Sequence, residues 1–142
     1  MILFSIILIN LIWVTYSITE GCIEGFYWHY ENLCKRVCDF NINPVFNLQR
    51  FIVLGILTTI LFNLIGYASL LILFCLLLEF GFFHNGTYYY TRNKLGGKVY
   101  KKGWKDESKT FPTFSPLIKY KYRVSALLIS IITQLITYLI IK

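Results

Sequence analysis

Charge is scarce in this 142-residue sequence: 15% of its residues are Asp, Glu, Lys or Arg, and three long stretches carry none. With 56% hydrophobic side chains and a mean hydropathy of +0.59, the composition excludes an ordinary water-soluble domain. Motifs that carry chemistry are missing too. There is no glycine-rich phosphate loop, nucleophile elbow, zinc-protease helix or dinucleotide fingerprint, so neither enzymatic activity nor a cofactor is expected. The sequence also lacks internal repeats and low-complexity linkers. No Asp, Glu, Lys, Arg or His falls within the uncharged stretches, which argues against a proton relay or a charged-substrate path.

What is present is long apolar runs. Crossing roughly 30 Å of hydrocarbon takes about 20 helical residues, because every backbone N–H must be satisfied within the segment. Met1–Ser17, Phe51–Leu78 and Val124–Ile141 come near or exceed that length. The fold class expected is therefore an all-α integral membrane protein with three transmembrane helices. Its organisation reads as a first helix over 1–17, an outer cysteine-containing loop over 18–50 and a second helix over 51–78. A basic aromatic inner loop over 79–123 and a third helix over 124–142 complete it. Residues 1–17 have an alternative reading as a signal sequence. Their only leading charge is the α-amino group, and Thr15-Tyr16-Ser17 is a poor cleavage site, so a retained helix is expected.

The loops differ in charge. The first carries Glu20, Glu24, Glu31 and Asp39 against Lys35, Arg36 and Arg50, whereas the second carries ten Lys or Arg against Glu79, Asp106 and Glu107. By the positive-inside rule the second loop stays inside, with the N-terminus inside and Lys142 outside. Asn85-Gly86-Thr87 matches a glycosylation acceptor but sits beside the second helix on the inner side, and is read as a chance match. Within the long loop, Thr87–Thr91 and Lys98–Lys101 flank the turn-forming Leu95-Gly96-Gly97, which suggests a small β-hairpin.

In the second apolar run Gly55, Thr59, Asn63, Gly66 and Ser69 recur at steps of three and four, and in the third Ala126, Ser130, Thr133, Gln134 and Thr137 repeat the pattern, with Thr133 and Gln134 adjacent. Small and polar residues on one face let another helix approach closely and supply interhelical hydrogen bonds, so both stripes are expected to be packing surfaces. Cys22, Cys34 and Cys38 share the outer loop with His29. Their spacing matches no zinc finger or ribbon, and no metal site is assigned; one disulfide or free thiols are the alternatives. Cys75 reads as an inert apolar residue, and His84 as an ordinary interfacial histidine.

Arg92, Lys94, Lys98, Tyr100, Lys101, Lys102, Trp104 and Lys105 form a basic segment interleaved with aromatic rings. Such a segment suits anionic phospholipid headgroups or an acidic protein neighbour better than nucleic acid. The expected function is a non-catalytic subunit of a larger membrane assembly, its partners being other membrane subunits and lipid. Heavy use of Ile, Leu, Phe, Tyr, Asn and Lys with two Ala suggests an AT-rich genome. That points to a respiratory-chain or ATP-synthase complex of the mitochondrial inner membrane. The alternatives are a secretory-pathway protein of the endoplasmic reticulum or plasma membrane, with a disulfide-bearing outer segment, and a small transporter component. Cys38-Asp39-Phe40, and Pro44 ahead of Arg50-Phe51, look somewhat like the cysteine loop and second helix of NADH dehydrogenase subunit 3. That family carries acidic residues in its second membrane helix where this sequence has Phe62-Asn63-Leu64-Ile65, and membership is not assigned.

Overall fold

The computed structural model describes residues 2–34, 43–96 and 120–141, and all but Gly96 are helical. Helix α1 (Ile2–Cys34) is followed by α2 (Asn43–Ile65), a single 3₁₀ turn (Gly66–Ala68), α3 (Ser69–Leu95) and α4 (Tyr120–Ile141). Three stretches are long and apolar enough to cross a bilayer: Ile2–Tyr30, Pro44–Leu95 and Tyr120–Ile141.

The helices outrun their uncharged cores. No proline interrupts the chain before Pro44, so α1 continues through Glu20 and Glu24, and residues 18–34 are helix where a loop was expected. Pro44 lies in the first turn of α2, where its missing N–H costs nothing. The expected β-hairpin is corrected in part: Thr87–Thr91 belongs to α3, while Lys98–Lys101 lies outside the described residues. Helix propagation from a long apolar segment overrides the local strand preference of three consecutive tyrosines.

The second apolar run is the larger correction. It is not one continuous helix, because Ile65 leaves helical geometry (φ −133°, ψ 8°) and Gly66 takes φ +58°, which reverses the chain. Arg50 of α2 consequently lies over the Phe80 ring of α3, 5.0 Å from its centroid. In a straight helix these residues would be about 45 Å apart. Leu57 and Leu61 of α2 share a core with Ile72, Leu76 and Phe80 of α3 and with Ile6, Ile9 and Trp13 of α1.

Helix α1 runs parallel to α3, with Trp13 Nε1 donating to the Leu76 carbonyl at 2.6 Å and Cys22 beside Thr91. Helix α4 runs antiparallel to both, pairing Ser130 with Glu79 and Gln134 with Asn10. The result is an up-down-up-down bundle in which α1 and α3 make the most extensive contact. The C-terminal ends of α1 and α3 and the N-terminal ends of α2 and α4 thus lie at the same end of the bundle. Large apolar side chains, among them Phe4, Leu48, Phe51, Leu139 and Ile140, cover the exterior, as a hydrocarbon surround requires.

Candidate functional site

Two glycines set the geometry at the connection end of the bundle. A Cβ on Gly21 would lie 2.5 Å from the His84 carbonyl oxygen, and one on Gly25 would lie 3.0 Å from that of Tyr88. Gly21 and Gly25, four residues apart, form a small-xxx-small face that lets the backbones of α1 and α3 nearly touch. The close approach brings Glu24 against His84, with Oε2 2.9 Å from Nε2. That contact requires the hydrogen to sit on Nε2 and point at the carboxylate. His84 is further held between the rings of Phe80 and Tyr88, with centroids at 4.6 and 6.4 Å.

Arg50 completes the cluster from α2. Its Nε donates to Glu20 Oε1 at 2.7 Å, one terminal nitrogen donates to Asn47 Oδ1 at 3.1 Å, and the other donates to Glu24 Oε2 at 3.3 Å. Glu20 and Glu24 are one helical turn apart on α1, so a single guanidinium spans both. The side chains are largely withdrawn from the surface, Arg50 being 11% and Glu20 3% exposed. Glu20 and Glu24 thus share the one permanent cation of the cluster. Removing one member of such a buried set typically costs about 3–5 kcal/mol, because the others are left uncompensated.

Beside the cluster, α2 and α3 border a cleft of about 590 Å³, lined by Leu54, Thr58, Phe62, Leu73, Leu77 and Phe80, with Trp13 of α1 also in its wall. Arg50 and Asn47 close its polar end. From Arg50 to Phe62 the cleft runs about 18 Å along α2, comparable with the roughly 15 Å of hydrocarbon in one leaflet. Its volume lies in the usual range for small-molecule sites.

A second polar knot lies at mid-depth, about 15 Å along α3 from Ser69. Glu79 Oε1 accepts from Ser130 Oγ at 2.6 Å and from Gln134 Nε2 at 2.7 Å, and Asn10 pairs with Gln134 through both amide groups. Among the described residues no group of three His, Cys, Asp or Glu is placed to hold a metal.

The residues expected to carry sites are distributed unevenly. Ala126, Ser130 and Thr137 are buried, with Thr133 and Gln134 half-buried. On α2, Gly55, Thr59 and Asn63 are exposed, Gly66 forms the turn and Ser69 is buried, so that stripe does not form one face. Thr59 and Asn63 bond back to their own helix, to the Gly55 and Thr59 carbonyls. Cys22 is a free thiol that accepts a hydrogen bond from Thr91, Cys34 ends α1, and Cys38 lies outside the described residues. Arg92 and Lys94 occupy the last turn of α3, while Lys98, Tyr100, Lys101, Lys102, Trp104 and Lys105 lie outside the described residues. Asn85 is buried within α3 and is no glycosylation acceptor in this conformation.

The three apolar runs hold no ionisable side chain, but the helices extend beyond them and bury Glu20, Glu24, Arg50, Glu79, His84 and Arg123 to most of their surface. Counting uncharged runs stops at the first charge, and so it placed these residues in loops. A usable signal was there: Glu20-Gly21 and Glu24-Gly25 repeat at four residues and extend the α1 face that holds Trp13 and Ser17. Compared with protein-family models, curated proteins and solved structures, the chain matches none of them.

Proposed function

We propose that this protein is a membrane-embedded binding protein for an amphiphile with an anionic, hydrogen-bond-accepting head. The tail occupies the α2–α3 cleft and the head meets Arg50 and Asn47. The observation that carries this reading is one charged side chain at the end of a largely apolar cleft, whose other polar lining residues are Asn47, Thr58 and Thr59. Arg50 has five N–H donors; three go to Glu20, Asn47 and Glu24 and a terminal nitrogen also lies 3.4 Å from His84 Nε2, which leaves at least one for an occupant. A carboxylate or phosphate suits those donors best. We place the bundle across the membrane in four passes. The basic segment lies on the inner side, and the two ends, Ile2 and Ile141, lie on the other.

The test is the lipid content of protein purified in mild detergent, measured by mass spectrometry for native protein, Arg50→Gln and Thr58→Phe. Thr58→Phe puts a ring into the cleft without touching the ionic cluster. Both variants should retain at least about tenfold less of the bound amphiphile, the equivalent of about 1.4 kcal/mol. The mass separates a fatty acid from a phospholipid. Native-level content in Thr58→Phe would exclude the cleft as the binding site.

A second reading is a non-catalytic subunit of a larger membrane assembly. It is favoured by a shallow outward groove on α2 lined by Phe51, Ile52, Gly55, Ile56, Thr59 and Asn63, where a neighbouring helix could seat. Composition favours the mitochondrial inner membrane for such an assembly. Co-purifying chains and organelle fractionation test both points.

A further inference from the structure

We propose that Glu79 anchors a second, separate binding site, which takes a lipophilic ammonium ion lying in the groove between α1 and α4. Glu79 is 4% exposed, and its two oxygens are not equivalent. Oε1 accepts from Ser130 and Gln134, whereas Oε2 is buried with no hydrogen-bond partner. Glu79 forms no ion pair among the described residues, in contrast to Glu20 and Glu24, which share Arg50. An acidic group at this depth, with its supporting donors fixed and one oxygen unmet, marks a functional site by default.

The groove gives the class of ligand. It has a volume of about 340 Å³ and opens from Glu79 between Leu3, Ile7 and Leu11 of α1 and Leu127, Ile131 and Leu135 of α4. An anion would be repelled by Glu79, and a neutral hydrocarbon would leave the carboxylate without a counter-charge. A cation carrying an alkyl or aryl body satisfies both ends. The ring of Tyr138 or Phe83, also in the lining, can receive part of the positive charge. Because Oε2 lacks a donor, an ammonium bearing N–H groups fits better than a quaternary one. Gln134 and Asn10 also line the groove; tied to each other by hydrogen bonds of 2.6 and 2.9 Å, they fix the Gln134 amide that donates to the carboxylate.

The experiment uses the full chain in nanodiscs of zwitterionic lipid, with empty discs as the partitioning background. Binding of dodecylammonium, dodecyltrimethylammonium and dodecanol is followed by calorimetry. Native protein should bind dodecylammonium at least about tenfold more tightly than dodecanol, as expected for a charge-assisted hydrogen bond, with the trimethyl compound between them. Glu79→Gln should erase that preference. Ile131→Trp, which fills the groove and leaves the carboxylate intact, should weaken ammonium binding by a similar factor. Thr58→Phe should not alter it, which separates this site from the α2–α3 cleft. Equal binding of the ammonium and the alcohol by native protein, or an unchanged preference in Glu79→Gln, overturns the proposal. Should Glu79→Gln fail to fold, full-strength ammonium binding by Ile131→Trp overturns it instead.

Discussion

At Gly21 the missing side chain matters more than most side chains present. Adding one methyl group there puts carbon 2.5 Å from the His84 carbonyl oxygen, a backbone atom that cannot rotate away, so α1 and α3 must separate. Gly21→Ala should therefore cost about 1–3 kcal/mol, the range for an overpacked contact, and should loosen the Glu24–His84 contact. Gly55 is the matched control, because a Cβ there meets nothing within 4 Å. Gly55→Ala should leave stability unchanged or raise it by up to about 1 kcal/mol through better helix propensity. Melting both variants in the same detergent checks the pair. If Gly21→Ala were as stable as Gly55→Ala, the close crossing of α1 and α3 would not exist.

The turn between α2 and α3 is an element-scale device that depends on one backbone angle. Gly66 has φ +58° and open space around it, so a replacement suffers from conformation alone and not from collision. Gly66→Val should destabilise the hairpin by roughly 1–2 kcal/mol, whereas Gly66→Asn, which tolerates the left-handed region, should cost less. Denaturant titration in mixed micelles would rank them, and a valine variant as stable as the parent would rule out a required turn. This element also marks the limit of what could be read from sequence. The helical class and the apolar stretches were legible, since hydrocarbon thickness translates directly into run length. The reversal at Gly66 was not, because Gly66-Tyr67-Ala68 carries no charge or proline and sits inside 28 uncharged residues. The site was hidden for the same reason. Arg50, Glu24 and His84 each border an apolar run, and only the reversal brings Arg50 to the other two.

For the whole molecule, an even number of passes follows if each of the four helices crosses the bilayer, and the turn offers a direct test. Tyr67 is 82% exposed at the end opposite both connections. Tyr67→Cys should react with a membrane-impermeant maleimide from one face of sealed vesicles and Gly103→Cys from the other. A single crossing over 51–78 would instead bury Tyr67 in hydrocarbon, so a cysteine there that is labelled from neither side would refute the four-pass arrangement. The parallel pairing of α1 with α3 also has a consequence for how the chain is made. Glu20 is synthesised 30 residues before Arg50, and Glu24 is made well before His84. At about 5–20 residues per second, Glu20 waits roughly 1.5–6 s for its cation. During that interval α1 carries two carboxylates without the partners that later neutralise them, which disfavours its release into lipid as an independent helix. In a membrane-inserted bundle, α1 therefore gains most from entering lipid together with α2 and α3, whose Arg50 and His84 meet its carboxylates.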